Sequence, residues 1–117
     1  MAQKKLVVGR GLINRLECEL ELLNRHLAML KMIKINEPVG IIKLAEFTKL
    51  PQHKVRYSLR VLEQEGLIKP TIAGAVTTHK LRGFVRTLKA VFGKAERSIT
   101  EMKKVLEEFE TEISKPS

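Results

Sequence analysis

The chain has 117 residues, which suits one compact domain with an appended segment. It has 22 Lys and Arg against 13 acidic residues, all of them Glu, giving a net charge of +9 that favours a polyanionic partner, either nucleic acid or an acidic membrane face. The absence of Asp excludes Asp-based metal, phosphoryl-transfer and catalytic-triad chemistry, although a basic protein with no polyanionic partner could have the same composition.

The first 36 residues predict a short basic arm, 1–11, and then a long amphipathic helix, 12–36. The apolar run in the arm is far too short for a signal peptide, and no stretch approaches membrane-spanning length. In the helix, apolar residues recur in steps of three and four, as at the a and d positions of a heptad. This seam consists of Ile13, Leu16, Leu20, Leu23, Leu27 and Leu30. The helix ends at Asn36 because Pro38 disfavours helical geometry in the residue before it.

The segment 37–79 predicts two short helices and a hairpin. A brief extended piece at 39–40 precedes a helix over 41–47. A second helix covers 52–65, with Pro51 suited to its first turn.

Gly66 and two β-branched runs follow this second helix. Gly66 stands where a left-handed residue commonly ends a helix. The runs on either side of Ile72-Ala73-Gly74 predict a two-stranded hairpin within 67–79.

The remainder of the chain, 80–117, predicts one long helix with a second heptad seam, which passes through Gly93 without a phase slip. The seam consists of Leu81, Val85, Leu88, Phe92, Ala95, Ile99, Met102, Leu106, Phe109 and Ile113. A helix about 50 Å long is too long for one small domain to cover. We therefore expect a homodimer, with an intramolecular helical hairpin as the alternative. The predicted dimer contacts are Leu16, Leu20, Leu23, Leu88, Phe92, Ile99, Met102, Leu106, Phe109 and Ile113.

The sequence "VRYSLRVLEQEGLI" resembles the end of the recognition helix and the start of the wing in MarR-, ArsR- and related archaeal regulators. Their pattern V-x-x-x-L-x-x-L-E-x-x-G-L-I/V matches Val55, Leu59, Leu62, Glu63, Gly66, Leu67 and Ile68. Upstream, "IIKLAEFTKLPQHKV" resembles a helix-turn-helix with Leu50 in the turn. The resemblance implies a mainly α fold with a small β-hairpin, in which long heptad-patterned helices flank a winged helix-turn-helix. It also implies a dimeric transcriptional regulator.

Two features depart from the family pattern. Lys49 stands where these families often carry Gly, and a Lys in the left-handed conformation is strained, so we expect a longer or differently shaped turn. The wing tip "TIAGAV" lacks the Arg or Lys that many wings insert into the minor groove. Contact between the wing and DNA is therefore left open.

The helix over 52–65 is the predicted recognition helix. It combines an apolar side with long hydrogen-bond donors, and no acidic residue lies between 47 and 62. Gln52 and Arg56 are assigned to base edges, and Lys54, Tyr57 and Arg60 mostly to the DNA backbone. The full set of predicted DNA-binding residues is Gln52, His53, Lys54, Arg56, Tyr57, Arg60, Lys69, Lys80 and Arg82. The alternative is an ordinary solvated helix face.

The sequence contains no recognisable catalytic or cofactor-binding motif. Cys18 is the single cysteine, so a disulfide framework within the chain is impossible and a reducing cytoplasm is the simplest location. His26, His53 and His79 lack metal-ligand spacing, and no phosphate-binding glycine loop appears. We therefore expect no enzyme, metal or cofactor, and a cytoplasmic, nucleoid-associated protein. The alternatives are a sequence-nonspecific chromatin protein and a winged-helix adaptor between proteins; the sequence indicates no effector.

Overall fold

A computed structural model of the chain describes residues 8–116. This range contains four helices and one antiparallel two-stranded sheet. The elements are α1 (Arg10–Asn36), α2 (Ile41–Thr48), α3 (Gln52–Gln64), β1 (Ile68–Thr71), β2 (Gly74–Thr77) and α4 (Leu81–Ser114). The mainly helical fold with a hairpin between α3 and a long final helix is the predicted one. Residues 1–7 of the predicted arm lie outside the described range, and α1 begins two residues earlier than expected.

The described chain divides into two compact units, which we call the winged unit, residues 8–79, and the α4 unit, residues 80–116. In the winged unit, α1, α2 and α3 contact one another, and the hairpin contacts α1 and α3. Its buried apolar core consists of Met29, Leu30, Ile33, Val39, Leu44, Val55, Leu62, Leu67 and Ile68. Burying one such large side chain stabilises the fold by about 1.5 to 3 kcal/mol.

Only the C-terminal part of α1 contributes to this core. All α1 residues up to Leu20 are exposed, including the seam residues Ile13, Leu16 and Leu20. Leu23 and Leu27 are half-buried, and the buried residues begin further along the helix. The C-terminal part of α1 therefore packs in the core of the winged unit. Its N-terminal part has an apolar seam that is exposed to solvent.

The turn between α2 and α3 differs from the longer turn that we expected. Lys49 takes the left-handed conformation itself, with φ of 59°, and its N–H donates to the Ala45 carbonyl at 2.8 Å. Pro51 then lies just before α3, not within its first turn, and its carbonyl accepts hydrogen bonds from the N–H groups of Lys54 and Val55. The expectation of a longer or differently shaped turn was wrong, because Lys49 itself adopts the left-handed conformation, which is costly for Lys but not forbidden.

Gly66 ends α3 as predicted. Its φ is 78°, in the left-handed region where glycine has no steric penalty. The Leu67 N–H donates to the Leu62 carbonyl at 3.0 Å, and the Gly66 N–H donates to the Glu63 carbonyl at 2.9 Å. This pair of bonds is the Schellman arrangement that commonly closes a helix. It directs the chain into β1 with Leu67 and Ile68 buried.

The hairpin is bound to the segment before α2 by a short backbone bridge. Val39 and Ala75 exchange two hydrogen bonds, of 3.1 and 2.8 Å. A Cβ atom on Gly74 would lie 2.7 Å from the Val39 backbone, so glycine is required for this approach. Pro70, which has no N–H, lies in the outer strand opposite Ala75, whose own N–H and carbonyl are directed to Val39.

A carboxylate also binds the end of β2. Glu37 Oε1 accepts hydrogen bonds from the Thr77 N–H at 2.7 Å and from the Thr77 hydroxyl at 2.9 Å, while Lys34 approaches Oε2 at 3.3 Å. These hydrogen bonds, the backbone bond first, hold the pKa of Glu37 below its usual range. The end of α1 and the end of the wing are thus joined through an ionised group.

The α4 unit is a single helix of 34 residues in which no residue is buried. Gly93 lies within it without interrupting it, as the uninterrupted heptad pattern predicted. Seven of the ten seam residues are exposed, from Phe92 at 41% to Ile113 at 79%, and Leu81, Leu88 and Ala95 are half-buried. Between residues 8 and 116, no helix is long and apolar enough to cross a membrane.

The Glu37–Thr77 contact predicts a dependence of stability on pH. Because the folded-state pKa is lowered, ionised Glu37 stabilises the fold above the ordinary Glu pKa, and this contribution is lost as the pH falls through the lowered value. Glu37→Ala should reduce the free energy of unfolding at neutral pH by about 1 to 3 kcal/mol. Urea denaturation at a series of pH values measures both effects.

Glu37→Gln is the matched control for that experiment. Its amide oxygen can still accept from Thr77, but it does not titrate. We expect this variant to be more stable than Glu37→Ala and to lack the acid-dependent loss. If the free energy of unfolding depended on pH equally in wild type and Glu37→Gln, the stabilising role of ionised Glu37 would be wrong.

Candidate nucleic-acid interface

Helix α3 is held in place by a line of buried side chains. Val55, Ser58 and Leu62 lie on one side of the helix and are at most 3% exposed. Leu59, which the sequence pattern also assigned to this side, is half-buried. Ser58 was not predicted here, because a hydroxyl interrupts the apolar pattern.

The buried Ser58 hydroxyl has a partner on α1. His26 Nδ1 lies 2.8 Å from Ser58 Oγ, and the His26 ring lies 5.7 Å from the ring of Tyr57. The hydrogen bond removes the cost of burying an unpaired hydroxyl. One residue of α1 therefore fixes both the buried side of α3 and an aromatic residue at the edge of its exposed side.

The environment of His26 disfavours its charged form. Partial burial, and secondly the positive charge of Arg25, lower the pKa of this imidazole. At neutral pH the ring is therefore uncharged, and its contact with Ser58 is a hydrogen bond between neutral groups. This role of His26 could not be predicted from the sequence, because His26 and Ser58 are 32 residues apart.

The side of α3 opposite the core consists of long polar side chains, which we call the outer face of α3. It comprises Gln52, His53, Arg56, Tyr57 and Arg60, all of them exposed. The nearest acidic residues in the sequence are Glu46 on α2 and Glu63 near the end of α3. Among the ion pairs of residues 8–116, none involves a basic residue of α3. The outer face is thus a cationic, donor-rich surface without internal neutralisation.

Lys54 is separated from this face. It is half-buried and lines a groove between α1, α2 and α3, together with apolar side chains such as Met32 and Phe47. Its ammonium group is therefore positioned at the flank of the helix. The Tyr57 ring is tilted by 43° against the His26 ring on α1, and with 42% exposure Tyr57 lies at the edge of the outer face.

A second groove joins the outer face to the beginning of α2. Gln52 and Arg56, one helical turn apart on α3, line it together with Gly40, Ile41, Ile42 and Lys43. The first turn of a helix carries free N–H groups and a partial positive charge. Lys43 adds a full charge, only weakly offset by Glu46 at 4.0 Å. Sequence reasoning missed Lys43 because the proximity of α2 to Arg56 is tertiary.

The remaining predicted DNA-binding residues lie outside α3. Lys69 is exposed on β1, and the two-residue tip of the wing exposes Ile72 completely. Lys80 and Arg82, at the beginning of the α4 unit, are also exposed. In the described part of the chain, no group of three or more His, Cys or Glu side chains is placed to hold a metal ion.

Comparisons with known proteins identify no family for this chain. No protein-family model matches its sequence, and no curated protein sequence does so either. Among solved structures, the activation domain of the phage T4 transcription factor MotA is similar over 64% of this chain and 80% of its own, with a TM-score of 0.49 and 14% identity. A protein of unknown function from Listeria innocua Clip11262 is similar over 88% of this chain and 96% of its own, with a TM-score of 0.46 and 18% identity. At these values neither likeness carries an argument about function.

The His26–Ser58 contact predicts a loss of stability in mild acid. As the pH falls through the ordinary His pKa of about 6.5, the unfolded state takes up a proton that folded His26 resists, so the free energy of unfolding decreases. His26→Gln removes this proton uptake and should flatten the profile between about pH 7.5 and 5.5. Chemical denaturation across that range, with an NMR titration of His26, measures the effect.

The matched control is His53→Gln, because that side chain is exposed on the outer face of α3. This variant should retain the loss of stability in acid. If His26→Gln and wild type lost stability in parallel, the assigned role of His26 would be wrong.

Proposed function

We propose that the protein binds double-stranded DNA sequence-specifically as a dimeric transcriptional regulator, with α3 in the major groove. One observation carries this proposal: α3 is fixed to the core by Val55, Ser58 and Leu62, while its outer face consists of unpaired long donors. The major groove of B-DNA admits an α-helix, and its base edges are recognised by such donors. A helix that is held rigidly can place those donors in a fixed register.

The proposed roles on the outer face follow from side-chain geometry. Arg56 and Gln52 can each form bidentate contacts, to guanine and adenine edges respectively, so we assign them to bases. Arg60 and His53 are assigned mainly to the phosphate backbone, which positions the protein without carrying sequence information. Lys43 and the first turn of α2 lie beside Gln52 and Arg56, and we add them as a phosphate contact.

The flanking residues receive more limited roles. Lys54 and Tyr57 are proposed phosphate contacts from the edge of α3, since Lys54 lines a groove and the Tyr57 ring lies 5.7 Å from the His26 ring. Lys69, Lys80 and Arg82 would add sequence-independent attraction. Together with the net charge of +9, these residues should make affinity fall steeply with salt. The proposal includes no catalytic step or cofactor, in keeping with a sequence that lacks Asp.

The proposal includes dimerisation through the uncovered seams of α1 and α4. The seam residues Leu16 and Leu20 on α1, and Leu106 and Phe109 on α4, are each more than half exposed. Monomeric proteins rarely leave apolar rows of this length in water. A second copy of the chain presents the same rows, so a two-fold dimer can cover them isologously.

Substitutions on the outer face test the assigned contacts. Arg56→Ala should weaken binding to the preferred site by about 1 to 3 kcal/mol and relax sequence preference, because a base contact is lost. Arg60→Ala should weaken binding to all DNA sequences alike. It should also reduce the slope of log binding constant against log salt concentration by about 1. Gel shifts with a selected site and a scrambled duplex, over a salt series, measure both effects.

Lys104→Ala is the control for charge alone, since Lys104 is exposed on the acidic half of α4. It should alter binding little. Equal affinity of wild type for selected and random duplexes at one salt concentration would instead favour a sequence-nonspecific chromatin protein. No DNA binding even at low salt would favour a protein adaptor.

Substituting Lys for apolar residues of the α4 seam tests the proposed dimer. Ile99→Lys combined with Leu106→Lys places two ammonium groups in the apolar row, which should convert the dimer to a monomer. Ala90→Lys is the matched control, because Ala90 lies at the f position of the heptad, on the side of the helix opposite the seam. Sedimentation of the three proteins measures the outcome, and a monomeric wild type would contradict dimerisation.

A further inference from the structure

Helix α4 has an unpartnered apolar face with an asymmetric charge distribution. Residues 80–97 carry six basic side chains against one acidic, whereas residues 98–117 carry three basic against five acidic. The helix is therefore basic in its first half and acidic in its second. Every apolar side chain of the seam is at least partly exposed in the single chain.

The two possible orientations of a pair of α4 helices differ in electrostatics. A parallel pair in register places the basic half of one copy along the basic half of the other, and repeats this with the acidic halves. An antiparallel pair places each basic half along an acidic half. Opposite charges along a helix interface favour one orientation over the other, and here they favour the antiparallel pair.

We propose that α4 pairs with α4 of a second copy in the antiparallel orientation, about an axis near Arg97. This inference rests on the dimer of the proposed function and specifies its geometry. An alignment centred there brings all ten seam residues into five facing pairs. The pairs are Leu81 with Ile113, Val85 with Phe109, Leu88 with Leu106, Phe92 with Met102, and Ala95 with Ile99.

The same alignment brings together side chains along both margins of the seam. On one margin Arg82 faces Glu110, Lys89 faces Lys103, and Glu96 faces Glu96 of the second copy, while on the other margin Val91 faces Val105. Opposite charges do not outnumber like charges at these margin positions. The preference for the antiparallel pair therefore rests on the net charges of the two halves of α4.

The antiparallel orientation determines where the DNA-binding units are attached. α4 spans about 51 Å from end to end, from its 34 residues. Each winged unit is joined covalently to the N-terminal end of its own α4, so the two attachment points lie at opposite ends of the helix pair.

Disulfide mapping in the full chain tests the orientation. In a Cys18→Ser background, Val85→Cys and Phe109→Cys are introduced together, and the protein is oxidised mildly and digested with trypsin. Positions 85 and 109 of one helix lie about 36 Å apart, whereas a disulfide joins Cα atoms within about 7 Å. A peptide that links position 85 to position 109 can therefore arise only between two chains.

We expect the linked peptide to join position 85 to position 109, in a covalent dimer of most of the protein. Links from 85 to 85 and from 109 to 109 would overturn the antiparallel orientation and leave the proposed DNA-binding dimer intact. A monomeric wild type in sedimentation would overturn both. If loss of the Phe109 ring dissociates the reduced variant, the pair Val91→Cys and Val105→Cys replaces it, since these residues face each other beside the seam only in the antiparallel alignment.

Discussion

The attachment of α3 to α1 is the contact on which the rest of the winged unit depends. Val55, Ser58 and Leu62 form a buried line on α3, and the buried residues of α1 begin in its C-terminal half. The His26–Ser58 hydrogen bond adds a directional constraint to this apolar packing. Apolar contacts alone tolerate small rotations of a helix, whereas this hydrogen bond of 2.8 Å would break and leave the buried Ser58 hydroxyl unpaired. The outer face of α3 is therefore held in one orientation.

The wing is fixed by a different set of interactions, because a two-stranded hairpin is marginally stable by itself. The backbone bridge between Val39 and Ala75 joins the hairpin to the segment before α2. Gly74 permits the close approach, and ionised Glu37 binds Thr77 at the end of β2. These contacts orient a wing whose tip carries Ile72 in place of a basic residue. In the proposed complex, specificity therefore rests chiefly on α3.

Helix α4 illustrates how much a heptad pattern can specify. Its apolar period required one uninterrupted helix, which the structure contains over 34 residues despite Gly93. Its apolar seam could be buried in either a parallel or an antiparallel pair. The asymmetric charge of the helix favours the antiparallel pair. The side chains of α4 thus account both for its secondary structure and for its proposed association with a second copy.

The sequence by itself determined the order and type of every described element and the exposed outer face of α3, because periodicity and glycine or proline stops act locally. Tertiary structure decided the rest. The left-handed Lys49, the buried Ser58 with its partner His26, and the approach of Lys43 to Arg56 depend on residues brought together from different helices. Local patterns cannot encode such contacts, since a hydroxyl on the buried side of a helix is unfavourable until a distant imidazole lies beside it.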